Sequence, residues 1–143
     1  MKTFNYTLNQ KPIESMIDFS IFKNEKNLLI QIFCGEKKDI LEYILNVIAK
    51  ELPQAVCIGS STDGEINNSQ ITTLNTVITI SVFKETTLKI VSVDEIDSFS
   101  NGVKLASLLC SEDTKLLITF TDGAKTNGEE FLNGVSSIND KIL

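Results

Sequence analysis

The chain has 143 residues, 42% of them hydrophobic and 22% charged, which suits one globular domain with a core of its own. A formal net charge of −6, with no cluster of Lys or Arg, argues against recognition of a nucleic-acid backbone. The absence of histidine removes the Ser-His-Asp triad, the Cys-His pair and every histidine-containing zinc site.

The N-terminus, Met1-Lys2-Thr3-Phe4-Asn5-Tyr6, lacks the apolar centre of a secretory signal, and no apolar run reaches transmembrane length. The expected location is cytoplasmic, without membrane insertion. Phe4, Tyr6 and Leu8 alternate with polar residues and predict an opening strand. Pro12 suits the first turn of a short helix burying Ile13, Met16, Ile17 and Ile21. Leu28 to Phe33 is apolar on both faces, as in a strand covered from both sides, and Gly35 ends it. The pair Lys37-Lys38, flanked by Glu36 and Asp39, reads as a solvated helix start. Ile40, Leu41, Ile44, Leu45, Ile48 and Leu52 then share one helical face, and Pro53 stops the helix.

Ala55 to Ile58 predicts a short buried strand, followed by a polar segment through Asn75 that is long for a mere connection. Thr76 to Phe83 and Thr87 to Val93 are β-branched runs joined by Lys84-Glu85-Thr86, which predicts an antiparallel hairpin. Phe99, Val103, Ala106 and Leu109 recur at helical spacing, against the poor helix propensity of Gly102. Lys115 to Phe120 returns to strand. Thr126 with Glu129, or Asn127 with Glu130, has the spacing of a capping box for a last helix that turns Phe131, Val135 and Ile138 inward. The expected fold class is α/β, a mixed sheet flanked by helices, in the order strand, helix, strand, long loop, hairpin, helix, strand, helix. Cys34, Cys57 and Cys110, odd in number and set among apolar residues, read as reduced core thiols.

The chemistry concentrates after the Ala55 strand, in Gly59, Ser60, Ser61, Thr62, Asp63, Gly64 and Glu65. A polar loop at the C-terminal edge of a strand is where open α/β sheets bind small molecules. A strand-ending turn with solvated hydroxyls accounts for the same residues. Thr121, Asp122, Gly123 and Asn127 form a second polar loop after the Lys115 strand. Three lookalikes fail there. A P-loop needs its lysine directly after the glycine, where Ala124 stands. A haloacid dehalogenase strand end needs an aspartate at Phe120, and a von Willebrand factor A metal site needs Asp-x-Ser-x-Ser where Phe33-Cys34-Gly35-Glu36-Lys37 stands.

Gly59 to Ile66 resembles the glycine, small residue, Ser-Thr, small residue, Gly-Glu signature of the FIST N-terminal domain, a bacterial and archaeal sensory module. Leu116 to Gly123, Asn127-Gly128-Glu129 and Phe131 to Val135 are similar to the later strand, loop and helix of that family. Asp63 stands where many relatives carry a small apolar residue. The resemblance implies a ligand-sensing input domain, with amino acids or similar small polar molecules as signals. It further implies an output module elsewhere in the parent protein, such as a diguanylate cyclase, a kinase or a chemotaxis module. Residues 1–143 would be a portion of a FIST-type domain, stopping at Lys141-Ile142-Leu143 before its remainder.

In that reading Asp63, Glu65 and Asp122 suit an ammonium group, and Ser60, Ser61, Thr62 and Asn127 orient the rest of the ligand. Some FIST-type proteins are described as haem sensors with a histidine ligand; this chain has none, and Cys57, Tyr6 and Tyr43 could in principle supply other axial ligands. No cofactor is expected. Two other functions compete: an interaction or dimerisation scaffold, with a homodimer among its forms, and a hydrolase using Ser-Lys or carboxylate chemistry. Three structural expectations follow. Gly64 should take a positive φ or lie against another main chain, Cys57 should be buried and reduced, and Asp63 and Asp122 should approach one end of the sheet.

Overall fold

Two strands buried on both faces decide the architecture. β2 (Asn27–Cys34) and β6 (Thr76–Phe83) are each eight residues long and almost wholly apolar or β-branched, so both belong inside a sheet rather than at its edge. The computed structural model describes residues 1–67 and 69–142, and sets these strands antiparallel, with Leu28 opposite Val82, Ile30 opposite Ile80, and Ile32 opposite Ile78. β1 (Lys2–Thr7) pairs antiparallel with the other side of β6, and β3 (Val56–Ser61) pairs parallel with β2. The sheet order is β1-β6-β2-β3, a mixed sheet as the sequence predicts.

The inward face of this sheet is capped by α1 (Ile13–Met16), a 3-10 turn over Phe19–Phe22, and α2 (Lys38–Glu51). Ile13, Ile17, Phe22, Ile44, Ile48 and Leu52 meet Leu28, Ile30, Ile32, Ile78 and Ile80 in one core. Phe22 and Phe4 close its end edge to face, with ring centres 5.0 Å apart. Ile21 departs from the expected helical face. The helix stops at Met16, the chain tightens into the 3-10 turn, and Phe19 and Phe22 go inward while Ile21 is left exposed.

The hairpin expected between Thr76–Phe83 and 87–93 is not among the described elements: 87–93 spans the boundary at Leu88 between two units of the chain and carries no strand among the described residues, while β6 has a partner on each edge. A local loop brought the two runs close in sequence, but the six pairings with β1 and eight with β2 take both hydrogen-bonding edges. The polar segment supplies a different hairpin, β4 (Glu65–Asn67) and β5 (Gln70–Thr72). Asn68, inside that segment, and Leu143, at the end of the chain, lie outside the described residues.

The chain divides into two units, Met1–Leu88 and Lys89–Leu143. In the second, α3 (Ser98–Leu109) and α4 (Gly128–Ile138) pack around Ala106, Phe131 and Val135. Asp97 caps α3 by accepting from the Ser100 amide, and Asn127 caps α4. Ile138, expected inward, is nearly half exposed because the buried stripe of α4 runs through Phe131, Gly134 and Val135. Lys115–Phe120 forms no strand within this unit.

Candidate functional site

β3 runs further than expected: Gly59, Ser60 and Ser61 are its last three residues, and Ser61 stands opposite Cys34 at the end of β2. Gly59 has no room for a side chain there. A Cβ would overlap the Ile32 carbonyl oxygen and lie 2.9 Å from the carbonyl carbon. Thr62 carries the ladder one step on, its amide donating to the Cys34 carbonyl at 3.0 Å.

The chain then turns through Asp63 and Gly64 into β4, which places Glu65 under the turn. Glu65 is only 2% exposed. Its carboxylate accepts from Thr62 Oγ1 at 2.7 Å and from Thr72 Oγ1 at 3.3 Å, so both oxygens are satisfied by hydroxyls. Gly35 leaves the space. A Cβ on Gly35 would overlap Glu65 Oε1 and stand 3.3 Å from the Thr62 carbonyl oxygen. Gly64 is not the constrained position expected. It has no positive φ, and a Cβ there would make an ordinary 3.5 Å contact with the Thr72 carbonyl oxygen.

Beside this turn, the start of β6 supplies polar groups that motif reading passed over. The Gly35 amide donates to the Asn75 carbonyl at 2.8 Å, and Thr76 Oγ1 donates to Glu36 at 2.7 Å while lying 3.2 Å from Cys34 Sγ. Asn75 Oδ1 accepts from the amides of Asn9 and Thr76, both at 2.8 Å, and its Nδ2 donates to Asn9 Oδ1 at 3.0 Å. Asn9, Gln10 and Leu74 all take positive φ around this clasp. Nothing in the local sequence linked Asn9 to Asn75.

The expected site residues therefore divide by role. Gly59, Thr62 and Glu65 hold the turn, while Ser60, Ser61 and Asp63 are exposed at the C-terminal edge of the parallel β2–β3 pair. Ser60 Oγ donates to the Ser61 carbonyl at 2.9 Å. In the second unit Thr121, Asp122 and Gly123 are exposed. The Ala124 amide, 3.0 Å from Asp122 Oδ1, holds the Asp122 carboxyl below the usual carboxylate range, and Lys125 at 3.5 Å adds to this. Asn127 is occupied as the α4 cap, accepting from the amides of Glu129 and Glu130. The expected meeting of Asp63 and Asp122 rested on Lys115–Phe120 being a second parallel strand, and that strand is not formed within its unit.

Cys57, Tyr6 and Tyr43, the side chains considered for haem, each have a place in the fold. Cys57 packs half-buried against the core rather than fully buried, and desolvation pushes its thiol up to about 11, which keeps it protonated. Tyr6 also packs against the core, and burial, with the charge of Asp18, raises its phenol. The Tyr43 hydroxyl donates to Glu14. All three cysteines are free thiols.

The model of the FIST N domain family matches residues 28–142, from the start of β2 to beyond α4. The chain belongs to the FIST N domain family. It is thus a sensory input module of signal transduction, in the sense common to that family. Neither a curated protein nor a solved structure matches it. The FIST match leaves out β1 and α1, although β1 is an integral strand of the sheet and α1 covers it. Among the described residues no helix is long and apolar enough to cross a membrane.

Proposed function

We infer that this FIST module reads a small polar ligand, of the amino-acid type, at the turn from Gly59 to Glu65, and passes the signal to an output domain of a cytoplasmic parent protein. The observation that carries this is the division of labour within the turn. Glu65 and Thr62 are locked by hydrogen bonds beneath it, while Ser60, Ser61 and Asp63 are held exposed above the ends of two parallel strands. A rigid frame that keeps polar groups in place lowers the ordering cost of binding. The Asp63 carboxylate suits an ammonium group, and the two serine hydroxyls suit the carboxylate or side chain of the same ligand. An output domain of the cyclase, kinase or chemotaxis type would read the change.

Calorimetry with a panel of amino acids tests this. At least one member should bind, and Asp63→Asn should weaken that binding about tenfold, the loss of a charge-assisted contact. Asp122→Asn, whose carboxylate is turned onto Ala124 and Lys125, should leave it unchanged. A panel without any binder at millimolar concentration, or binding indifferent to Asp63, removes the reading.

A further inference from the structure

The β4–β5 hairpin is built with its polar face inward. Glu65 and Thr72 pair across the ladder and turn in, and Asn67 Nδ2 donates to Thr7 Oγ1 at 2.7 Å on the same side. Ile66 and Ile71, the pair between them, point out and are 73% and 78% exposed. Leu74 follows, 66% exposed on a backbone with φ 52°. A shift of register by one residue would reverse the two faces, so the bonds of Glu65 and Asn67 actively hold the apolar face toward solvent. Aliphatic side chains left this exposed gain nothing from burial, and covering them would stabilise the protein.

Two observations say what covers this face. From Ile66 to Phe83 there is no ionisable side chain, in a chain whose formal net charge is −6. Two copies repel each other elsewhere, and this surface is where they approach at least cost. The second is area. The exposed side chains of Ile66, Ile71 and Leu74 together offer on the order of 400 Å² of apolar surface, about half of the ~800 Å² per partner of a stable complex. That suits a reversible contact rather than an obligate one.

We propose that the outward face of the β4–β5 hairpin is a contact between two copies of this chain, with Ile66, Ile71 and Leu74 of one packed on the same residues of the other about a two-fold axis. Such an isologous contact requires a self-complementary surface, and a flat cross-strand isoleucine pair supplies one. The contact does not depend on the ligand reading, since neither isoleucine belongs to the proposed ligand residues.

Sedimentation of the full chain from about 10 µM to about 1 mM should show the mass rising from monomer toward dimer. Ile66→Ser with Ile71→Ser should weaken association at least about tenfold while the thermal melt holds, because both side chains face water in the monomer. Ile71→Lys is the second variant, acting by charge repulsion should the double variant fold poorly. Ile71→Cys should give a disulfide-linked dimer on mild oxidation, beyond any formed by the native cysteines. A strictly monomeric chain across this range, or a dimer indifferent to Ile66 and Ile71, overturns the proposal.

Discussion

Gly102 of α3 and Gly134 of α4 lie face to face at the helix crossing: a Cβ on either would stand 3.1 Å from the Cα of the other. On Gly102 it would also overlap the Phe131 carbonyl oxygen and fall 2.9 Å from the Val135 nitrogen; on Gly134 it would overlap the Phe99 carbonyl oxygen and fall 3.0 Å from the Val103 nitrogen. The two backbones touch because neither helix carries a side chain at this point. Gly102, unfavourable in an isolated helix, is what lets the pair pack.

Alanine at either position should therefore destabilise the protein, although alanine is the better helix former. The propensity gain of about 1 kcal/mol is outweighed by overpacking, for a net loss of about 1–3 kcal/mol. Thermal denaturation of Gly102→Ala and Gly134→Ala measures it, and an unchanged or raised melting temperature would disprove the close crossing.

The Gly35 and Glu65 pair should behave as a unit. Gly35→Ala should cost about 1–3 kcal/mol by pushing the carboxylate off Thr62, and Glu65→Ala should cost a similar amount by leaving a void and two unpaired hydroxyls. The double variant should lose less than the sum, since the new methyl enters the space Glu65 vacates. Strict additivity in a denaturant double-mutant cycle would show that the contact carries no energy.

Leu74 sits in the left-handed region at φ 52°, which is strained for a residue with a branched aliphatic side chain. Leu74→Asn should stabilise the first unit by about 0.5–1 kcal/mol, because asparagine tolerates that backbone and an exposed leucine contributes little packing. The readout is the melting temperature at a dilution where the chain is monomeric.

Asn127→Ala should lower stability by about 1 kcal/mol through loss of the α4 cap, and Asn127→Ser should restore most of it. Neither change should alter ligand affinity. A specific loss of affinity without loss of stability would return Asn127 to the binding residues.

Cys57 should be alkylated slowly. With its thiol near 11 rather than the ordinary 9, the thiolate fraction at pH 8 is about a hundredfold lower than for a free cysteine, and the rate should rise about tenfold per pH unit until about pH 11. The sign of the stability effect follows. Below about pH 9 the thiol is protonated in folded and unfolded chains alike, and between about 9 and 11 only the unfolded chain gives up the proton, so stability falls as pH rises. Peptide-level mass spectrometry after timed labelling gives the rate at Cys57 separately from Cys34 and Cys110.

The sequence alone determined the elements whose patterns are self-contained. The Leu28–Phe33 run, the amphipathic helix ending before Leu52, the Thr76–Phe83 run and the Asn127 cap each declare themselves through periodicity or a local hydrogen bond, and each element is where expected, although of the expected apolar face Ile40 and Leu45 are exposed while Ile44, Ile48 and Leu52 are buried. The importance of the Gly59–Glu65 turn was legible for the same reason, as glycines and hydroxyls after an apolar strand. Only the tertiary structure decided which strands pair, that Glu65 goes under the turn while Asp63 stays out, that Asn9 clasps Asn75, and that Gly102 meets Gly134. Backbone hydrogen-bonding capacity is the same in every β-branched run, so partners are chosen by which edges remain free after the core has formed, and a glycine's meaning depends on which atoms arrive beside it from elsewhere in the chain.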